Sequence, residues 1–193
     1  MLKKVTLLSA SALTAFALNT GEININNKDL EISGQFDVGQ FNNAVEPDTM
    51  FVGAKFLNAE AEHSDNDQAS LDPYFEANFL MMRPIGNQGM KIGMGAKLNF
   101  TKDFVSLPLG LQFAYKLPVG NLFPMYLNGE IYYAPKALAF DKGDSFLEYR
   151  LSYDLEIMKH GYITLGYRSL DTNYESFDFT YNSYGYIGFK INF

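Results

Sequence analysis

The 193-residue chain has no cysteine, no tryptophan and only two histidines, and its acidic side chains outnumber the basic ones. Without cysteine there are no disulfides, no thiolate metal centre, no thiol nucleophile and no cysteine to carry an N-terminal lipid. The 15 Lys and Arg stand against 22 Asp and Glu, a formal charge of −7, and no basic stripe of the kind nucleic acid requires is present. Apolar runs are short throughout. None approaches the roughly 20 residues a spanning helix needs, so helical spanning is excluded. Barrel spanning is not, because barrel strands hide their apolar residues at every second position.

What is abundant is aromatic: 17 Phe and 13 Tyr. The last eight residues, Tyr186 to Phe193, alternate strictly, with Ile187, Phe189, Ile191 and Phe193 on one face and Tyr186, Gly188, Lys190 and Asn192 on the other. Period-two alternation is a strand with one apolar and one polar face. Gly188, Ile191 and the terminal Phe193 resemble the C-terminal assembly signal of bacterial outer-membrane barrels. At the other end, Lys3 and Lys4 precede a mostly apolar stretch from Val5 to Phe16 and an Ala15-Phe16-Ala17 cleavage pattern. That combination predicts a secretory signal peptide over 1–17, leaving 18–193 as a single barrel domain exported to the outer membrane.

Strand-length segments separated by turn residues fill the remainder. Alternation is clear from Leu30 to Val38, from Phe75 to Met81 and from Met90 to Phe100, whereas Phe51 and Leu57 blur the segment between 50 and 57. It sharpens over 105–116, 125–133, 147–157 and 163–168, and Phe177, Phe179 and Tyr181 lead into the terminal strand. The apolar face carries its aromatics mainly toward strand ends (Phe113, Tyr115, Tyr133, Phe177, Phe179, Phe189), as membrane-interface girdles do. About 12 residues at ~3.3 Å each, tilted ~40°, rise roughly 30 Å, enough for the ~25 Å apolar band. The expected fold is all-β, a transmembrane antiparallel up-and-down barrel. Nine strands are plain, and single-chain bacterial barrels almost always have an even number. Glu22 to Asn26 alternates suitably for a short first strand. Ten strands are therefore favoured, with eight possible. Both termini then face the periplasm, with turns at 117–121 and 158–161, and the connections at 60–70, 135–144 and 171–176 are extracellular.

Few residues offer site chemistry. The acidic loop from Glu60 to Asp67 holds Asp65 and Asp67, oxygen ligands suited to a hard cation, but lacks the glycine and distant bidentate Glu of a calcium loop. A solvated surface loop is the plainer reading, so no metal and no cofactor are expected. His63 and His160 fall on opposite sides of the membrane and cannot share a metal or a triad. His63 beside Ser64 and Asp65 is the one arrangement with nucleophile chemistry, and sequence neighbours seldom form that geometry. The chain is not expected to be an enzyme.

The predicted lumen is richer. Its acids are Glu31, Asp37, Glu76, Glu130, Glu148, Asp154 and Glu156, and its bases are Lys55, Lys91, Lys97, Lys116, Arg150, Arg168 and Lys190. Buried charges persist only when paired, and a small barrel's interior is just wide enough for side chains to fill. A balanced set therefore points to an interior knitted shut by ion pairs, whereas a selective pore shows rings of one sign. A narrow polar channel through the same groups is the alternative.

Gly129-Glu-Ile-Tyr-Tyr-Ala-Pro-Lys-Ala-Leu138, then Tyr149-Arg150, then Gly166-Tyr-Arg168 and the aromatic terminal strand resemble the YfaZ family of outer-membrane proteins over roughly residues 120–193. The resemblance implies an exported barrel of Gram-negative bacteria with no established biochemical activity, so no catalytic or ligand residue is carried over. Expected partners are outer-membrane lipid and lipopolysaccharide, with the barrel-assembly machinery during insertion. Nucleic acid is not expected, and the oligomeric state is open.

Overall fold

The computed structural model describes residues 20–59, 72–86, 89–102, 104–119, 123–174 and 177–193. The expected signal peptide, the 60–70 loop with His63, Asp65 and Asp67, and the side chains of Phe177 and Phe179 lie outside the described residues. The described residues form twelve strands: β1 Thr20–Ile25, β2 Asp29–Asp37, β3 Met50–Ala59, β4 Tyr74–Ile85, β5 Met90–Phe100, β6 Phe104–Ser106, β7 Leu109–Leu117, β8 Met125–Ala134, β9 Ala139–Asp141, β10 Gly143–Met158, β11 Gly161–Tyr174 and β12 Phe177–Asn192.

Ten of them form a closed antiparallel ring in the order β1-β2-β3-β4-β5-β7-β8-β10-β11-β12, which returns to β1. Closure falls between the two ends of the chain, where Thr20 pairs with Asn192 and Ile25 with Ile187. The terminal strand is thus flanked on both sides, with β11 as its other neighbour. The end carrying Thr20 and Asn192 is called the terminal end below, and the opposite one the far end.

The two remaining strands prolong staves at the far end. β6 keeps the β5 register of β7, Asn99 opposite Ser106 and Ala96 opposite Leu109, so the stave is interrupted only at Leu107-Pro108. Pro108 has no N–H for the ladder, yet its carbonyl accepts from the Lys97 amide at 2.9 Å. On the neighbouring stave a 3-10 turn at Lys136–Leu138 separates β8 from β9. The connections expected at 135–144 and 171–176 are therefore largely built of backbone pairing: β9 occupies 139–141, β10 starts at Gly143 and β11 continues to Tyr174. The strand expected over 30–41 ends sooner, at Asp37. Its carboxylate accepts from the amides of Gly39 (2.9 Å) and Asp48 (2.7 Å), which folds the chain into a 3-10 turn at the terminal end.

Apolar side chains point outward. Ile23, Ile32, Phe79, Met94, Leu111, Ile131, Leu151, Leu165 and Ile187 are all exposed. The buried side chains are mostly polar or charged. Outer aromatics are not confined to the rims, since Tyr149 and Tyr167 sit at mid-stave with ring centroids 6.1 Å apart. Phe51 and Leu57 blur the β3 pattern because both lie on its inward register with Lys55; Leu57 is fully buried.

Two inward tyrosines lie flat on the wall over glycines. A Cβ on Gly110 would sit 2.1 Å from the Ile131 carbonyl oxygen and 2.5 Å from the Tyr132 ring, and one on Gly166 would sit 2.3 Å from Tyr186. At Gly185 the nearest atom is 3.7 Å away. Gly110→Ala is expected to lower unfolding stability in detergent by about 1–3 kcal/mol through overpacking, with Gly185→Ala within about 0.5 kcal/mol of the parent. Urea titration followed by gel mobility measures both.

Candidate functional site: the filled lumen

Alternation places one side chain in two from every stave inside the ring, and together they form three layers along the axis. At the far end Leu57, Tyr74, Phe104, Ala134, Phe146, Leu170 and Tyr181 form a buried apolar cluster. The Phe104 and Phe146 centroids are 5.7 Å apart, and Tyr74 contacts both Phe146 (6.5 Å) and Tyr181 (5.7 Å). Tyr181 was expected on the outer face with Phe177 and Phe179. A bulge corrects that assignment: Leu170 pairs with Asn182 and Asp171 with Thr180, so Tyr181 is the extra residue and turns inward beside Asn182. Bulges re-aim side chains in this way.

Below this cluster lies a layer of charge whose hub is β10. Glu148 and Arg150 are consecutive inward positions on that stave. Glu148 accepts from Lys55 on β3 at 2.9 Å and from Lys97 on β5 at 2.8 Å. In the ring order β3 and β10 are five staves apart, so the Lys55–Glu148 pair spans the full diameter. Both lysines also reach Glu76 on β4, at 3.0 and 3.5 Å, and Lys97 lies 3.4 Å from Glu130. The Lys97 ammonium also sits 4.1 Å from the Tyr132 ring centroid. Arg150 binds Glu31 at 2.9 Å and Glu22 at 2.5 Å, on β2 and β1, and donates to the Tyr186 hydroxyl. Arg168 on β11 reaches the other oxygen of Glu31, lies 3.5 Å from Asp29 and donates to Asn182 at 2.8 Å. Toward the terminal end, Lys190 pairs with Asp154 at 2.6 Å and Glu22 at 3.4 Å, while Asn128 and Thr164 donate to Asp154.

Of the fourteen charged residues expected in the lumen, ten thus enter this network and four do not. Asp37 organises the turn after β2. Glu156 accepts from Tyr126 at 3.5 Å near the terminal rim. Lys116 is exposed there with its ammonium 5.9 Å from the Tyr126 ring. Lys91 faces the cavity described next and forms no ion pair with any described residue. Two acids of the network were not anticipated, Glu22 and Asp29. Glu22 lies on the polar face of the short first strand, where alternation marks it, whereas Asp29 beside Asn27-Lys28 reads as turn chemistry.

Between the charge layer and the terminal end lies a cavity of about 340 Å³ with both polar and apolar walls. Gln35, Asn78, Gln112 and Asn128 are among its walls and are part-exposed, whereas Glu31 and Glu148 above them are fully buried. Among the described residues no group of three or more His, Asp or Glu is placed to hold a metal ion. His160 occupies the β10–β11 turn at the terminal end with φ +65°. No described helix is long and apolar enough to cross a membrane.

These features define a class: a closed ten-stranded β-barrel, apolar outside, with a charge-filled interior. Residues 76–193, from the second residue pair of β4 to the last residue, match the family described as YfaZ precursor. The chain belongs to the YfaZ precursor family. The match begins well before the Gly129 motif that first suggested it. No curated protein matches the chain.

Removing one partner from a buried ion pair strands the other charge at a cost of about 3–5 kcal/mol. Glu148→Ala takes the nearest carboxylate from two ammonium groups at once while Glu76 and Glu130 still face them, so a loss toward the lower end of that range is expected, against less than about 0.5 kcal/mol for Glu156→Ala. Urea midpoints in detergent micelles compare the two.

Proposed function

We propose that this protein is a small integral outer-membrane barrel with its terminal end toward the periplasm, serving a structural or surface-interaction role and not solute conduction. The observation that carries the membrane reading is the belt of exposed apolar side chains around a ring with no free edge. A soluble barrel has the opposite polarity, because the hydrophobic effect drives apolar faces inward. In lipid every backbone polar group needs an internal partner, and a closed ladder supplies it. The family's precursor description agrees with an exported protein. Outer-membrane lipid and lipopolysaccharide are then the belt's partners, and the barrel-assembly machinery acts during insertion. No catalytic role is proposed.

Two layers argue against conduction. A solute crossing the barrel meets the cross-lumen ion pairs and then the Phe104–Phe146 cluster, which offers it no polar partner. The second reading, a narrow polar channel, draws on the cavity that reaches the charge layer from one side. Planar-bilayer recording of the purified protein separates them, and no discrete conductance steps are expected. Steps that change on Arg150→Gln or Arg168→Gln would overturn the closed-barrel reading. Heat-dependent gel migration in detergent tests the membrane reading, and a protein that stays soluble and monomeric without detergent refutes it.

A further inference from the structure

The cavity between the charge layer and the terminal end has the features of a binding site rather than a gap left by imperfect filling. Its volume, about 340 Å³, lies in the range of small-molecule sites, and like them it combines apolar walls, here Phe51, Leu80 and Phe113, with convergent polar groups. It is one-sided: the far end of the lumen is filled by the apolar cluster around Phe104 and Phe146. Among the described residues, the terminal end is therefore its open side.

The charge on its wall is asymmetric. Five basic side chains line the cavity against three acids, Glu22, Glu76 and Glu130. The other counter-anions of these bases, Glu31, Glu148 and Asp154, are buried and do not line the cavity. The four paired bases of the wall are therefore fully engaged by carboxylates and offer no free positive charge. Lys91 is different. It sits on β5 opposite Ala114, part-exposed, lines the cavity and makes no ion pair with any described residue. Exposed Lys116 lies on the next inward position of β7 past Ala114, with Glu156 on the other side of Tyr126 at the same rim. Gln35 and Gln112 offer amides, and Ser33 and Ser152 hydroxyls, as further hydrogen-bonding groups on the same wall.

We infer that this cavity is a binding site for a small solute bearing an oxyanion, a carboxylate or phosphate, entering from the terminal end with Lys91 as the charge that holds it. The site rests on the barrel's geometry alone. That the solute comes from the periplasm rests on the threading proposed above. In detergent micelles the terminal end is open to solvent either way, so the test addresses the site independently of location.

Isothermal titration of the full-length mature barrel in detergent against succinate, inorganic phosphate, glucose and choline is the direct experiment. Saturable one-site binding of succinate or phosphate, and not of glucose or choline, is expected, and which anion binds more tightly identifies the carboxylate or phosphate source. Lys91→Gln is expected to weaken binding about tenfold or more, the worth of one charge-assisted hydrogen bond. Lys102→Gln, exposed at the far end, should leave it unchanged. Ala114→Phe, which fills the cavity from its wall, should abolish binding. Each variant is first required to keep the parent's heat-dependent gel migration, so a loss of fold is recognised separately. Absence of saturable binding by both anions, equal binding of glucose, or unaltered affinity in Lys91→Gln overturns the proposal.

Discussion

The pairing of Glu148 and Arg150 on one stave with charges on the opposite wall is the interaction on which the rest of the barrel depends. Backbone ladders close the ring, but they fix only neighbours. Lys55–Glu148 and Glu31–Arg150 join β10 to staves four and five places away and so set what fills the middle. In a dry interior each such charge carries a large desolvation cost, offset only by close partners and further hydrogen bonds. The network meets that demand redundantly: Glu148 has two ammonium partners and Glu31 two guanidinium partners. Seven acids share five bases, and neutral donors take up part of the imbalance, Asn24 serving Glu22 and Glu31, and Asn128 and Thr164 serving Asp154.

Polarity along the axis follows from how the layers are coupled. Tyr74 joins the apolar cluster to the charge layer, its ring against Phe146 and its hydroxyl 3.4 Å from Glu76. Tyr132 and Tyr186 do similar work lower down, lying on glycines while their ring faces receive Lys97 and Arg150. An aromatic ring bridges the two environments because its faces and edges are apolar, its quadrupole attracts cations and its hydroxyl seeks a partner. The far end can therefore be dry while the terminal end is open to solvent, with the buried charges between them paired. A uniform polar lumen would leave both ends open to water and the ion pairs screened from two sides.

The ring itself was legible in the sequence. Alternation located the staves, parity required a tenth, and the segment from Glu22 to Asn26 supplied it as β1. The inward register of most charged residues followed from the same period-two rule. Alternation says nothing of which inward residues meet across the ring, and so the hub on β10 and the idle Lys91 needed the three-dimensional order. Two further misses have a common origin. Tyr181 changed faces because a single inserted residue inverts the period beyond it. Leu57 and Phe146 lie inside because the charge pattern describes only the middle of the lumen, while the far end is packed like a soluble core.

The family match covers residues 76–193, so it begins on β4 and leaves out β1, β2 and β3. The hub lies within the matched part, yet Lys55, Glu22 and Glu31, which complete it, lie on the three unmatched staves. What the hub requires of those staves is a matter of charge. A base must face Glu148 from β3, and acids must face Arg150 from β1 and β2; the outer positions need only be apolar. Many sequences satisfy that demand without sharing a motif. Closure by cross-lumen pairs thus makes the first three staves answer to the hub through the sign of charge at the inward positions that meet it.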